Sequence, residues 1–81
     1  MDSWGRRQPA RISRDPEADA AVIYLVDSIR PGEAVEQVIV DEVPGPGELV
    51  LDFDASGRIL AVEVIGASGL LPEGLMSRPE G

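Results

Sequence analysis

One run of oxygen-bearing side chains has the spacing of a cation site: Asp52-x-Asp54-x-Ser56-Gly57-x-Ile59-x-x-x-Glu63. It puts oxygen donors at positions 1, 3, 5 and 12 of a calcium loop, glycine at 6 and an aliphatic residue at 8. Such a loop needs a helix on each side. Here the entering segment contains Pro44-Gly45-Pro46-Gly47 and then alternates with period two, and the exiting segment is rich in β-branched residues. The context predicts a β-hairpin, in which Asp52 precedes the turn and Glu63 lies several residues up the return strand, carried away from the other donors. Asp52, Asp54, Ser56 and Glu63 are therefore weak metal candidates, and neither a metal nor a cofactor is expected.

A second acidic run, Asp15-Pro16-Glu17-Ala18-Asp19, could bind a divalent cation or form a carboxylate pair with a raised pKa. Asp and Pro are also turn formers for backbone reasons, and no third ligand type is nearby, so a solvated turn is the expected reading. The chain has no His, Cys, Lys, Thr or Asn. That removes the Ser-His-Asp and Cys-His arrangements, the Schiff-base lysine and the phosphate-loop lysine. Ser13, Ser28, Ser56 and Ser68 have no base to activate them, and Tyr24 reads as a sheet or interface residue. The expectation is a protein that is not an enzyme.

Charge narrows the partners. The formal net charge is −8 over 81 residues. Residues 1–14 hold Arg6, Arg7, Arg11 and Arg14 against Asp2, a net +3, whereas the rest holds Arg30, Arg58 and Arg78 against fourteen carboxylates, a net −11. The body repels a phosphate backbone, so nucleic-acid binding by it is not expected. Without cysteine there is no disulfide framework, nothing at the N-terminus resembles the apolar core of a signal peptide, and the longest apolar run, Ala20 to Val26, is far too short to span a membrane. A cytoplasmic location with no membrane contact is expected.

The elements that must position these groups are strands. Residues 1–9 lack periodicity and read as a flexible basic arm, with Trp4 a possible anchor. An extended segment at 10–14 precedes the acidic turn. Residues 20–26 form an apolar alternating run with Ala21, Ile23 and Leu25 on one face and Val22, Tyr24 and Val26 on the other. Residues 34–42 are more polar and read as an edge strand or one with a solvated face. After the Pro-Gly loop, 48–54 alternates Leu49, Leu51 and Phe53 against Val50, Asp52 and Asp54. Asp54-Ala55-Ser56-Gly57 supplies the hairpin turn, and 58–65 returns with Leu60, Val62 and Val64 on one face and Ile59, Ala61, Glu63 and Ile65 on the other. Residues 67–71 suit a short helix or turn, and 72–81 a flexible tail. The expected domain thus spans 10–71.

Three segments also carry a resemblance. Asp15-Pro16-Glu17-Ala18-Asp19-Ala20, Leu51-Asp52-Phe53-Asp54-Ala55-Ser56-Gly57 and Val62-Glu63-Val64-Ile65-Gly66-Ala67-Ser68 resemble, in order and spacing, domain-of-unknown-function family 2283 of small bacterial proteins. Ala21-Val22 stands where a Leu-Tyr pair is usual, and the Pro44-to-Gly47 loop is longer than typical. The resemblance implies a compact, mainly β fold and no established activity. Family relatives encoded beside small toxin-like domains further imply an antitoxin-like role, and no family catalytic residue is available to carry over.

The combined expectation is mainly β, with α+β as the alternative: an antiparallel four- to five-stranded sheet or meander with a short C-terminal helix or turn. Such a sheet is apolar on both faces, and a small chain has little to cover them. Val22, Tyr24, Val50, Ile59 and Ile65 are the expected interaction surface, in a homodimer or against a small basic partner. Small-ligand or cation binding through the acidic turns and a carboxylate-based hydrolase are the alternatives.

Overall fold

Period-two alternation and β-branched content give five strands in the computed structural model, which describes residues 10–77. They are β1 (Arg11–Asp15), β2 (Ala20–Tyr24), β3 (Glu36–Val40), β4 (Glu48–Phe53) and β5 (Ile59–Ile65). All pairings are antiparallel, and the order across the single sheet is β1-β2-β5-β4-β3. The mainly β expectation holds and the α+β alternative does not. Among the described residues the helical elements are two short 3-10 turns, Ala67–Gly69 and Leu75–Ser77. The order is not that of a meander, because β5 enters between β2 and β4. Those positions follow the sequence: β2 and β5 are apolar on both faces and take interior places, and the more polar β3 takes an edge.

Directly paired residues share a face of the sheet. The registers therefore set Ile12, Ile23, Val62, Leu51 and Val38 in one row across the first face, with Arg14, Ala21, Val64, Leu49 and Val40 in the next. On the second face, Tyr24, Ala61, Asp52 and Gln37 form one row and Val22, Glu63, Val50 and Ile39 the next. A register shift beside Asp52 and Phe53 pairs Phe53 with Ile59 and breaks the simple alternation at the hairpin end.

Val50 and Ala61 are buried on the second face, while the main buried cluster lies on the first. Ala21 and Val64 are buried there against Ala67, and Ile12, Ile23, Leu49, Val62, Leu70, Leu71 and Met76 pack around them. The chain after β5 thus folds back over one end of that face, and Arg14 Nε donates to the Leu75 carbonyl at 2.7 Å. Residues 72–77, assigned to a tail in the sequence, form a turn and the second 3-10 segment. The basic arm 1–9 and residues 78–81 lie outside the described residues.

The Pro-Gly loop packs closely on this segment. A Cβ on Gly47 would run into the carbonyl oxygen of Ile65 and meet Leu70 Cδ1 at 3.0 Å. Glycine is needed there for backbone approach. No helix among the described residues is long and apolar enough to cross a membrane.

Candidate functional site

The calcium-like run is divided by the hairpin into two separate pairs. Asp54 stands at the start of the turn, where its Oδ1 accepts from the Ser56 N–H at 3.0 Å, the Ser56 hydroxyl at 2.8 Å and the Arg58 N–H at 2.9 Å. The turn closes through Gly57 N–H to the Asp54 carbonyl at 3.0 Å, with Gly57 at φ 88° in the left-handed region. The Arg58 N–H, followed by the Ser56 hydroxyl, holds the Asp54 carboxyl below its ordinary value. Asp54 and Ser56 therefore serve the turn, and Asp54 Oδ1 is spent on it.

Asp52 and Glu63 are carried to the second face of the sheet. The expectation that the hairpin separates them is corrected here: Glu63 pairs with Val50, and so lies diagonally across from Asp52 on the same face. Gln37, opposite Asp52 on β3, bridges both carboxylates. Its Nε2 donates to Asp52 Oδ1 at 2.7 Å and to Glu63 Oε2 at 3.3 Å. Asp52 is only 6% exposed. A hydrogen bond with Asp52, then partial burial, then the Asp52 charge raise the Glu63 pKa above its ordinary value. The three side chains form a hydrogen-bonded cluster across three strands. Gln37 was not singled out in the sequence, although its place at an alternating position of a polar strand was legible.

The acidic run before β2 also has a structural role. Asp15 Oδ1 accepts from the Ala18 N–H at 3.3 Å, a local turn bond. Asp19 takes φ 53°. Its Oδ1 accepts from the Ser68 N–H and its Oδ2 from the Ser68 hydroxyl, both at 2.9 Å, and its carbonyl accepts from the N–H groups of Gly66 at 3.0 Å and Ala67 at 2.8 Å. One residue thus fastens the β1–β2 turn to the chain leaving β5. Among the described residues, no three acidic side chains converge where they could hold a metal ion.

Of the expected interaction residues, Val22, Tyr24, Val50 and Ile65 share the second face. Ile59 is set apart from them by the register shift that pairs it with Phe53. Val50 is buried, Ile65 is 40% exposed, and the Arg11 guanidinium lies over the Tyr24 ring at 4.4 Å from its centroid. The larger apolar exposure is elsewhere: Leu25 at 49%, Val35 at 59%, Val38 at 40% and Ile39 at 62%. Three of these four lie on or beside β3. Their signal was the edge position itself, since an edge strand has neighbours on one side only.

A shallow depression lined by Ser68, Pro72, Glu73, Gly74, Met76 and Ser77 has Glu73 as its single carboxylate. Searches of curated proteins and of solved structures found no match. A family model does match, over residues 11–68, the segment that runs from β1 through the hairpin to Ser68. By that match, the chain belongs to the family described as protein of unknown function (DUF2283).

Proposed function

We propose that the domain is a non-enzymatic protein-interaction module of the cytoplasm, whose sheet is covered in use by another polypeptide. The observation that carries this reading is the exposure of Leu25, Val35, Val38, Ile39 and Ile65, each between 40% and 62%. Covering such apolar area is a main driving force for association. The net −11 beyond residue 14 favours either a small basic partner, as in an antitoxin-like role, or a second copy that keeps like charges apart.

Sedimentation of the purified protein, together with affinity isolation from its own cells and reconstitution of any complex from pure components, tests the reading. Self-association or a reconstituted complex that slows amide exchange in β3 and β4 supports it. A stable monomer with no reconstitutable partner and unchanged exchange would refute it.

The Asp52–Glu63 pair favours a second reading, a carboxylate-based hydrolase with Glu63 as the acid. Hydrolysis of model ester, phosphoester and glycoside substrates that Glu63→Gln abolishes would support it. Turnover that is absent, or unchanged in the variant, counts against it.

A further inference from the structure

We propose that the outer edge of β3 pairs antiparallel with β3 of a second copy, about a two-fold axis at Val38, joining two five-stranded sheets into one. This rests on the interaction reading above and names its partner.

The two edges of the sheet differ. β1 carries Arg11, Arg14 and Asp15 within five residues, and its arginines are engaged by their own chain: Arg11 Nη2 donates to the Asp27 carbonyl at 2.8 Å and Arg14 Nε to that of Leu75. Charge of this kind blunts an edge against pairing. β3 is Glu-Gln-Val-Ile-Val, with one charge and no proline, glycine or lysine. Among the described residues its only strand neighbour is β4, so alternate N–H and C=O groups face outward. Val38 is exposed on the first face and Ile39 on the second, so both faces gain apolar contact when a strand is added at this edge.

Charge selects the partner and the register. With Val38 opposite Val38 of the second copy, Glu36 faces Val40, Gln37 faces Ile39, and beyond the strand Val35 faces Asp41 and Ala34 faces Glu42. No carboxylate opposes another. Sliding the strands by one or two residues one way sets Glu36 against Asp41 or Glu42, and sliding the other way sets Glu33 against Glu42 or Asp41. Like charges directly opposed are destabilising, so this acidic segment disfavours its near neighbours in register. In the favoured one, the row Ile12, Ile23, Val62, Leu51, Val38 continues through the axis into its copy on the same face.

The absence of cysteine makes the test direct. Three variants are compared with the wild type under mild oxidation: Val38→Cys alone, an equimolar mixture of Gln37→Cys and Ile39→Cys proteins, and Ser13→Cys at the centre of β1. The expected result is a wild-type dimer in sedimentation, with covalent dimer from Val38→Cys and from the mixture but not from Ser13→Cys. Val38→Lys, which sets two ammonium groups face to face, is expected to weaken the dimer by at least about tenfold with its circular dichroism unchanged. If that variant misfolds, the cysteine variants decide. A wild-type monomer at all concentrations overturns this pairing and leaves the interaction reading to its basic partner. A dimer that cross-links through Ser13→Cys and not through Val38→Cys overturns the pairing while upholding self-association.

Discussion

Replacing Asp19 by alanine removes one side chain and two different contributions. Asp19 sits at φ 53°, where an ordinary L residue pays about 1–2 kcal/mol and Asp pays less because its side chain bonds locally. It also accepts two charge-assisted bonds from Ser68, both at 2.9 Å. These are exposed, so about 1 kcal/mol each is the appropriate scale rather than the larger values of buried bonds. Asp19→Ala is thus expected to cost roughly 3 kcal/mol, out of the roughly 4–12 kcal/mol ordinary for a chain of this length. The melting temperature should fall by about 10–20 °C. Asp19→Asn tolerates the same φ and can still accept from the Ser68 N–H, so about 1 kcal/mol or less is expected for it. Urea unfolding followed by far-ultraviolet circular dichroism gives both numbers. If alanine costs under about 1 kcal/mol, or asparagine costs as much as alanine, the account of Asp19 as a fastening between the β1–β2 turn and Ser68 is wrong.

Glu63 gives a pH signature. Its folded pKa is raised above the ordinary 4.5, so the stability it contributes is full below that value and is lost as pH rises through the raised one. Glu63→Gln should therefore gain on the wild type steadily as pH climbs through that window, read as the difference in urea midpoint between the two proteins. A difference that does not vary with pH would refute the raised Glu63 pKa. At the other end of the sheet, Gly47→Ala should destabilise by about 1–3 kcal/mol, because the loop must lift from the Ile65 carbonyl. Thermal melting measures it, and an unchanged midpoint would mean the loop is not held where the structure has it.

The strands were legible because each carries its own period. Leu49, Leu51 and Phe53 alternating with Val50 and Asp52 could only serve a half-buried strand, and the Asp54-to-Gly57 turn joined it to its partner. The order of the sheet was not legible. Which strand β2 pairs with depends on long-range contacts that local period does not encode, so a meander stood as an equal possibility. The same gap hid the Gln37–Asp52–Glu63 cluster: its members lie on three strands, and only the register brings them together. Asp19 and Ser68 were each visible inside a motif, but their joining across 49 residues was not. Ile59 was placed with Ile65 by alternation, which the register shift beside Phe53 interrupts.

The position of β5 has a consequence for how the chain is made. Of the five described strands β5 is the last to be synthesised and the one that joins the two halves of the sheet, lying between β2 and β4. Until residues 59–65 have emerged, the pairings open to the described strands are a hairpin of β1 with β2 and another of β3 with β4, each too small to be stable alone. At about 5–20 residues per second the ribosome delivers the missing strand within seconds, and the Asp19 contacts to Gly66, Ala67 and Ser68 follow directly behind it. The domain therefore completes as one late event, and any stop in translation before residue 59 leaves two disconnected hairpins with apolar surface on both faces.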